Sequence, residues 1–169
     1  MNGRVTTMDD LGRWLSGAST VLLVGVGNRS RGDDGAGPLV AEKVMKWSSE
    51  RFRVMNLEEA PGRLLPDAME VRPSHILVVD AAMVGGPPGT MKLITLEEVE
   101  SVSFSSTHDL PIAVTLGVVT SQTTAKAIVI GIQPQTTRVG DEMSEPVLDA
   151  CERLSEALAR SLRSAGVLE

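Results

Sequence analysis

The chain has 169 residues, 42% of them apolar, which suits one domain with a core of its own. Two Trp, two Phe and no Tyr are too few rings for a stacking platform, and a net charge of -6 with a pI near 5.0 speaks against a nucleic-acid partner. The single cysteine, Cys151, excludes intrachain disulfides, a Cys-rich zinc site and a self-contained iron–sulfur cluster, so metal chemistry must draw on 22 carboxylates and two histidines.

Thr7 and Asp10 resemble a capping box, and Met8, Leu11 and Leu15 follow at helical spacing, so a short helix is predicted over 7–16. The charges in this N-terminal stretch break any signal-peptide h-region, and the longest apolar runs fall short of the roughly 20 residues that cross a bilayer. The cytosol is the expected compartment, with no membrane association. Val21–Val26 is a short valine-rich run ended by glycine, which suits a strand buried on both faces. Beyond GNRSRGDDGAG, the residues Ala36, Val40, Val44 and Trp47 recur at helical period, with Pro38 tolerated in the first turn.

A second strand is predicted over 52–57, then a short helical piece over 62–71 interrupted by Pro66, then a third strand from His75 to Asp80. GGPPG at 85–89 has turn composition, MKLITL behind it reads as a fourth strand, and LEEVESV as two helical turns. Asp109 is placed to cap a mostly buried helix beginning at Leu110, with Pro111 in its first turn. A fifth strand runs from Ala127 to Ile132 and is closed by Gln133-Pro134. Last, Val147, Cys151, Leu154, Leu158 and Leu162 follow Ser144 and Pro146 at spacings of 4, 3, 4 and 4, a capped amphipathic helix. Strands alternating with helices predict an α/β fold: a three-layer, doubly wound, mostly parallel five-stranded sheet with helices on both faces, formed by residues 1–169 as one domain.

In such a sheet, ligands collect beyond the carboxyl ends of the strands. Gly25 and Gly27 invite comparison with a dinucleotide fingerprint, but Ser30 stands at its third position and the helix starts well beyond it. No phosphate-binding P-loop is present, and Asp33-Asp34 would repel phosphate; this loop suits a cation or, more plainly, a turn with a helix cap. Asp80 ends an apolar strand as either a cap or a functional group, and His108 in SSTHDLP is by itself an ordinary loop histidine. Together, Asp34, Asp80 and His108 make a facial set for a divalent transition metal with open positions. His75, at the other edge of the sheet, reads as structural or solvated, and Cys151, on the apolar stripe of the last helix, as a small hydrophobe.

VLLVGVGNRSRGDDGAGPLVAEKV, the strand ILVVDA, STHDLP and IVIGIQP together resemble the maturation endopeptidases of nickel–iron hydrogenases, over roughly residues 20–160 and in the same order, with the closest likeness to the hydrogenase 3 branch. The resemblance implies an enzyme that removes a short C-terminal peptide from the hydrogenase large-subunit precursor once nickel is in place. It also implies a cytoplasmic monomer with a twisted five-stranded sheet. The family's metal-contacting acidic residue falls on Asp34, its second aspartate on Asp80 and its histidine on His108, while residues 1–18 extend beyond its usual start. Nickel would come with the precursor, and no organic cofactor is implied. Two rivals remain: a non-catalytic nickel-delivery protein using the same three ligands, and a receiver-like magnesium-binding module. The latter would need a lysine after the last strand, where GIQPQTTRVG has none.

Overall fold

The computed structural model describes residues 7–58, 60–104 and 109–169. Its strands are β1 (Val21–Val26), β2 (Phe52–Glu58), β3 (His75–Met83), β4 (Met91–Thr95), β5 (Ser103–Phe104) and β6 (Lys126–Ile132), and its α-helices are α1 (Leu11–Trp14), α2 (Ala36–Val44), α3 (Leu64–Val71), α4 (Asp109–Gln122) and α5 (Glu145–Ser164). The main sheet has the order β2-β1-β3-β6-β4. The pairs β1/β2, β1/β3 and β3/β6 are parallel and only β4 runs antiparallel to its neighbour. The mostly parallel, doubly wound arrangement is as the sequence predicts.

All six residues of β1 and eight of the nine in β3 are buried, because helices cover both faces. Side chains alternate across the sheet. Val21 and Leu23 of β1, with Leu77 and Val79 of β3, pack against α1, α2 and the α5 stripe Val147, Cys151, Leu154, Leu158 and Leu162. Leu22 and Val24, with Ile76 and Val78, pack against Leu64 and Ala68 of α3 and Ile112, Leu116 and Val119 of α4. Each such Leu, Ile or Val contributes about 1.5–3 kcal/mol on burial.

Local departures have simple causes. The leading helix is one 3-10 turn, Met8–Asp10, joined to the single α-turn of α1, and the Thr7 N–H donates to the Asp10 carboxylate at 3.1 Å. Pro66 does not interrupt α3; it stands in the first turn, where a missing N–H breaks no intrahelical bond. In place of two helical turns, residues 96–102 make one 3-10 turn, Val99–Ser101, with the Glu98 carboxylate accepting from the Thr95 N–H at 3.2 Å. β3 runs three residues beyond Asp80, and there it pairs antiparallel with the two-residue β5, Ala82 with Phe104 and Met83 with Ser103. α4 starts at Asp109 itself. Among the described residues, no helix is long and apolar enough to cross a membrane.

Candidate active site

The chain leaves β1 toward one edge of the sheet and returns through β3 on its other side, so the winding reverses between these two strands. A reversal opens a crevice at the carboxyl ends, where the two connections diverge. The loop after β1 and the end of β3 lie at this reversal point.

The loop folds tightly. Gly27 has φ +138, and a β-carbon there would lie against the Asp34 carbonyl, so only glycine fits. The Asn28 N–H donates both to the Asp34 carbonyl, at 3.1 Å, and to Asp34 Oδ2, at 3.0 Å, which folds the loop back on itself. Asn28 Oδ1 accepts from the Ser30 N–H at 2.9 Å and from its hydroxyl at 2.6 Å. The chain then makes a 3-10 turn, Gly32–Gly35, that leads into α2 and carries the acidic pair.

The two carboxylates of that pair have different fates. Asp33 is fully buried: its Oδ2 accepts from the N–H groups of Gln135 and Thr136 at 2.7 and 3.1 Å and from the Ser144 hydroxyl at 2.8 Å, and its Oδ1 from the Ser144 N–H at 2.7 Å. Asp34 is 2% exposed and Asp80 1% exposed, both at the carboxyl edge. β3 and the Gly32–Gly35 turn approach within 8 Å between Cα atoms. Gly37, three residues past Asp34, abuts the carbonyl oxygens of Val26 and of Val79, the neighbour of Asp80. Two buried carboxylates thus stand on adjacent elements at the reversal point. The third expected residue, His108, lies outside the described residues; β5 ends four residues before it and α4 begins one after it. Among the described residues, no group of three or more His, Cys, Asp or Glu could hold a metal ion.

The role of Gln133 was not legible in the sequence. Largely buried, it accepts through Oε1 from the Val84 and Gly85 N–H groups at 2.9 and 3.1 Å, fastening the exit of β3 to the end of β6. The one signal in the sequence was its position just after an apolar strand.

The remaining candidates sit elsewhere. His75 is buried at the opposite edge, edge-on to Trp14 with centroids 4.9 Å apart, and its Nδ1 pairs with the Ser74 hydroxyl at 2.9 Å. Burial, and then the charge of Lys126, lower its pKa below the usual histidine value. Cys151 is buried against α2, with its thiol 3.8 Å from the Ala36 carbonyl, and burial pushes its pKa up to about 12. A thiol so reluctant to ionise is no nucleophile.

Comparison with known proteins shows the family and the fold. Residues 38–161 match the family model HycI, described as hydrogenase maturation protease. The hydrogenase 3 maturation protease of Escherichia coli is 32% identical over 139 residues, covering 82% of this chain and 88% of that protein. The crystal structure of the [NiFe] hydrogenase maturation protease HycI from Thermococcus kodakarensis superposes with a TM-score of 0.79 at 31% identity, over 90% of this chain and 98% of that one. The solution structure of the endopeptidase HycI from Escherichia coli gives 0.73 at 31% identity, over 87% and 90%. The chain belongs to the hydrogenase maturation protease family, and is a peptidase rather than a carrier or a signalling module.

Proposed function

We propose that this protein is a cytoplasmic endopeptidase that removes a short C-terminal peptide from the nickel-loaded large-subunit precursor of a nickel–iron hydrogenase. Asp34, Asp80 and His108 are its contacts to the nickel and its catalytic groups. The observation that carries this reading is the burial of Asp34 and Asp80 on adjacent elements where the winding reverses. Two carboxylates at the ligand-collecting edge are oxygen donors of the kind that a divalent transition ion takes.

The metal belongs to the substrate. The precursor's thiolates hold it, and the protein adds oxygen donors from Asp34 and Asp80 and a nitrogen donor from His108, a donor set suited to a divalent transition ion with open positions. With a single cysteine, buried and un-ionised, the protein has no thiolate with which to retain the ion. Hydrolysis forms a bond between water oxygen and the scissile carbonyl carbon and breaks the carbon–nitrogen bond. A carboxylate of the pair takes the water proton and returns it to the leaving amine. Nickel recognition places the peptide bond beside that carboxylate, so that the water attacks a held substrate.

The test is intact-mass measurement of the large-subunit precursor, with and without nickel, before and after incubation with the protein. Loss of a short C-terminal peptide from the nickel-loaded form alone is expected. Equal cleavage of both forms would remove nickel recognition from the account, and an unchanged mass in both would remove the substrate.

A further inference from the structure

We infer that Asp33 is a positioning residue that fixes the Asp34 carboxylate relative to Asp80, using residues 133–144 as a strut. The inference deepens the proposed function and rests on it for the roles of Asp34 and Asp80.

Residues 133–144 join β6 to α5 without a strand or α-helix, yet they are fastened at both ends. At one end, Gln133 accepts through its side chain from Val84 and Gly85, and its backbone pairs with Thr90 and Gly89 at 2.8 Å each, so it holds the chain that leaves β3 beyond Asp80. At the other end, all four hydrogen bonds received by the Asp33 carboxylate come from this segment. Further bonds close the seam: Asp33 N–H to the Thr136 carbonyl at 2.8 Å, Gly32 N–H to Asp141 at 3.1 Å, and Gly140 N–H to Ser30 at 2.8 Å. The strut therefore spans from the strand bearing Asp80 to the turn bearing Asp34.

The charge matters as much as the shape. Both Asp33 oxygens accept from N–H donors, Oδ1 from Ser144 and Oδ2 from Gln135 and Thr136. An amide in its place must turn an NH2 group toward one of those donors, whichever way it is flipped. Ser144 stands at the N-cap of α5 but spends its hydroxyl on Asp33, so the Asp33 charge also lies at the positive end of that helix. Neighbours in one turn, Asp33 and Asp34 are rigidly coupled, and a turn released from the strut lets Asp34 shift.

The test combines turnover with a local probe in Asp33→Asn. We expect the folded variant to lose at least about 100-fold in kcat on the nickel-loaded precursor, the scale of a misplacement near 1 Å. The Asn28 amide and Asp34 carboxyl resonances, which report the 3.0 Å bond between these residues, should move from their wild-type positions. Loss of turnover with both resonances unmoved would make Asp33 merely structural and overturn the inference, as would unchanged turnover. If the wild-type protein leaves the precursor intact, the substrate assignment fails separately, and the resonances still decide: displaced they support positioning, unmoved they overturn it. Should Asp33→Asn not fold, Ser144→Ala removes one of the four bonds and is read the same way, with a smaller displacement expected.

Discussion

Gly25 of β1 and Gly37 of α2 meet backbone to backbone. A β-carbon on Gly25 would fall on the Gly37 carbonyl oxygen, and one on Gly37 would fall on the carbonyl oxygens of Val26 and Val79. The contact brings α2 onto the sheet at the point where β1 and β3 diverge, and so holds the Asp34 turn close to Asp80.

Gly37→Ala should therefore damage both stability and cleavage. Its obstacles are backbone atoms on two strands, which cannot rotate aside, so the helix must lift. A loss of about 1–3 kcal/mol by urea unfolding is expected, with precursor cleavage falling alongside. Gly117 in α4 is the contrast, because a β-carbon there meets nothing within 4 Å. Gly117→Ala should gain about 0.5–1 kcal/mol. Equal effects of the two substitutions would contradict the packing described.

His75 gives stability a pH dependence of definite sign. Its pKa is lowered in the folded protein by burial and by Lys126, its partner in the β3/β6 register. Between that lowered value and about 6.5 the unfolded chain binds the extra proton, so stability is complete above about 6.5 and falls with decreasing pH. His75→Gln should lose less stability than the wild type between pH 7.5 and pH 5 in urea titrations. Parallel losses would show that His75 contributes nothing to the acid sensitivity.

Cys151 should be silent in catalysis. With its pKa pushed up to about 12 and its side chain buried, it should resist alkylation at pH 8 until the protein is unfolded. Cys151→Ala should cleave the precursor at an undiminished rate, at some cost in stability from the small cavity left behind. Rapid alkylation of the native protein, with loss of cleavage, would reverse this assignment.

What could be read from the sequence was whatever burial writes into hydrophobic pattern. β1, β3 and β6 are continuous apolar runs because both faces of the sheet are covered, and α5 shows a clean stripe because only one face is. Asp80 could be noticed because it falls in a buried apolar strand, and the pair Asp33-Asp34 because its loop follows β1 toward the same edge, while the choice of Asp34 within the pair came from the family resemblance. Asp33 could not be told from Asp34, since its partners lie more than 100 residues away in a loop without pattern. The same holds for Gln133, whose donors are backbone groups 48 and 49 residues distant. Residues 96–102 read as two helical turns, but the Glu98 carboxylate accepts from the Thr95 N–H and only one 3-10 turn forms. β5 has two residues and exists only because β3 runs on past Asp80 to pair with it.

In the proposed function, Asp34 and His108 act on the nickel-loaded precursor. This role is tested most directly by the intact mass of that precursor after incubation with Asp34→Asn and, separately, with His108→Ala, each first shown to be folded. The wild type is expected to release the C-terminal peptide, and both variants to leave the precursor at full length. Normal cleavage by both variants would contradict this role.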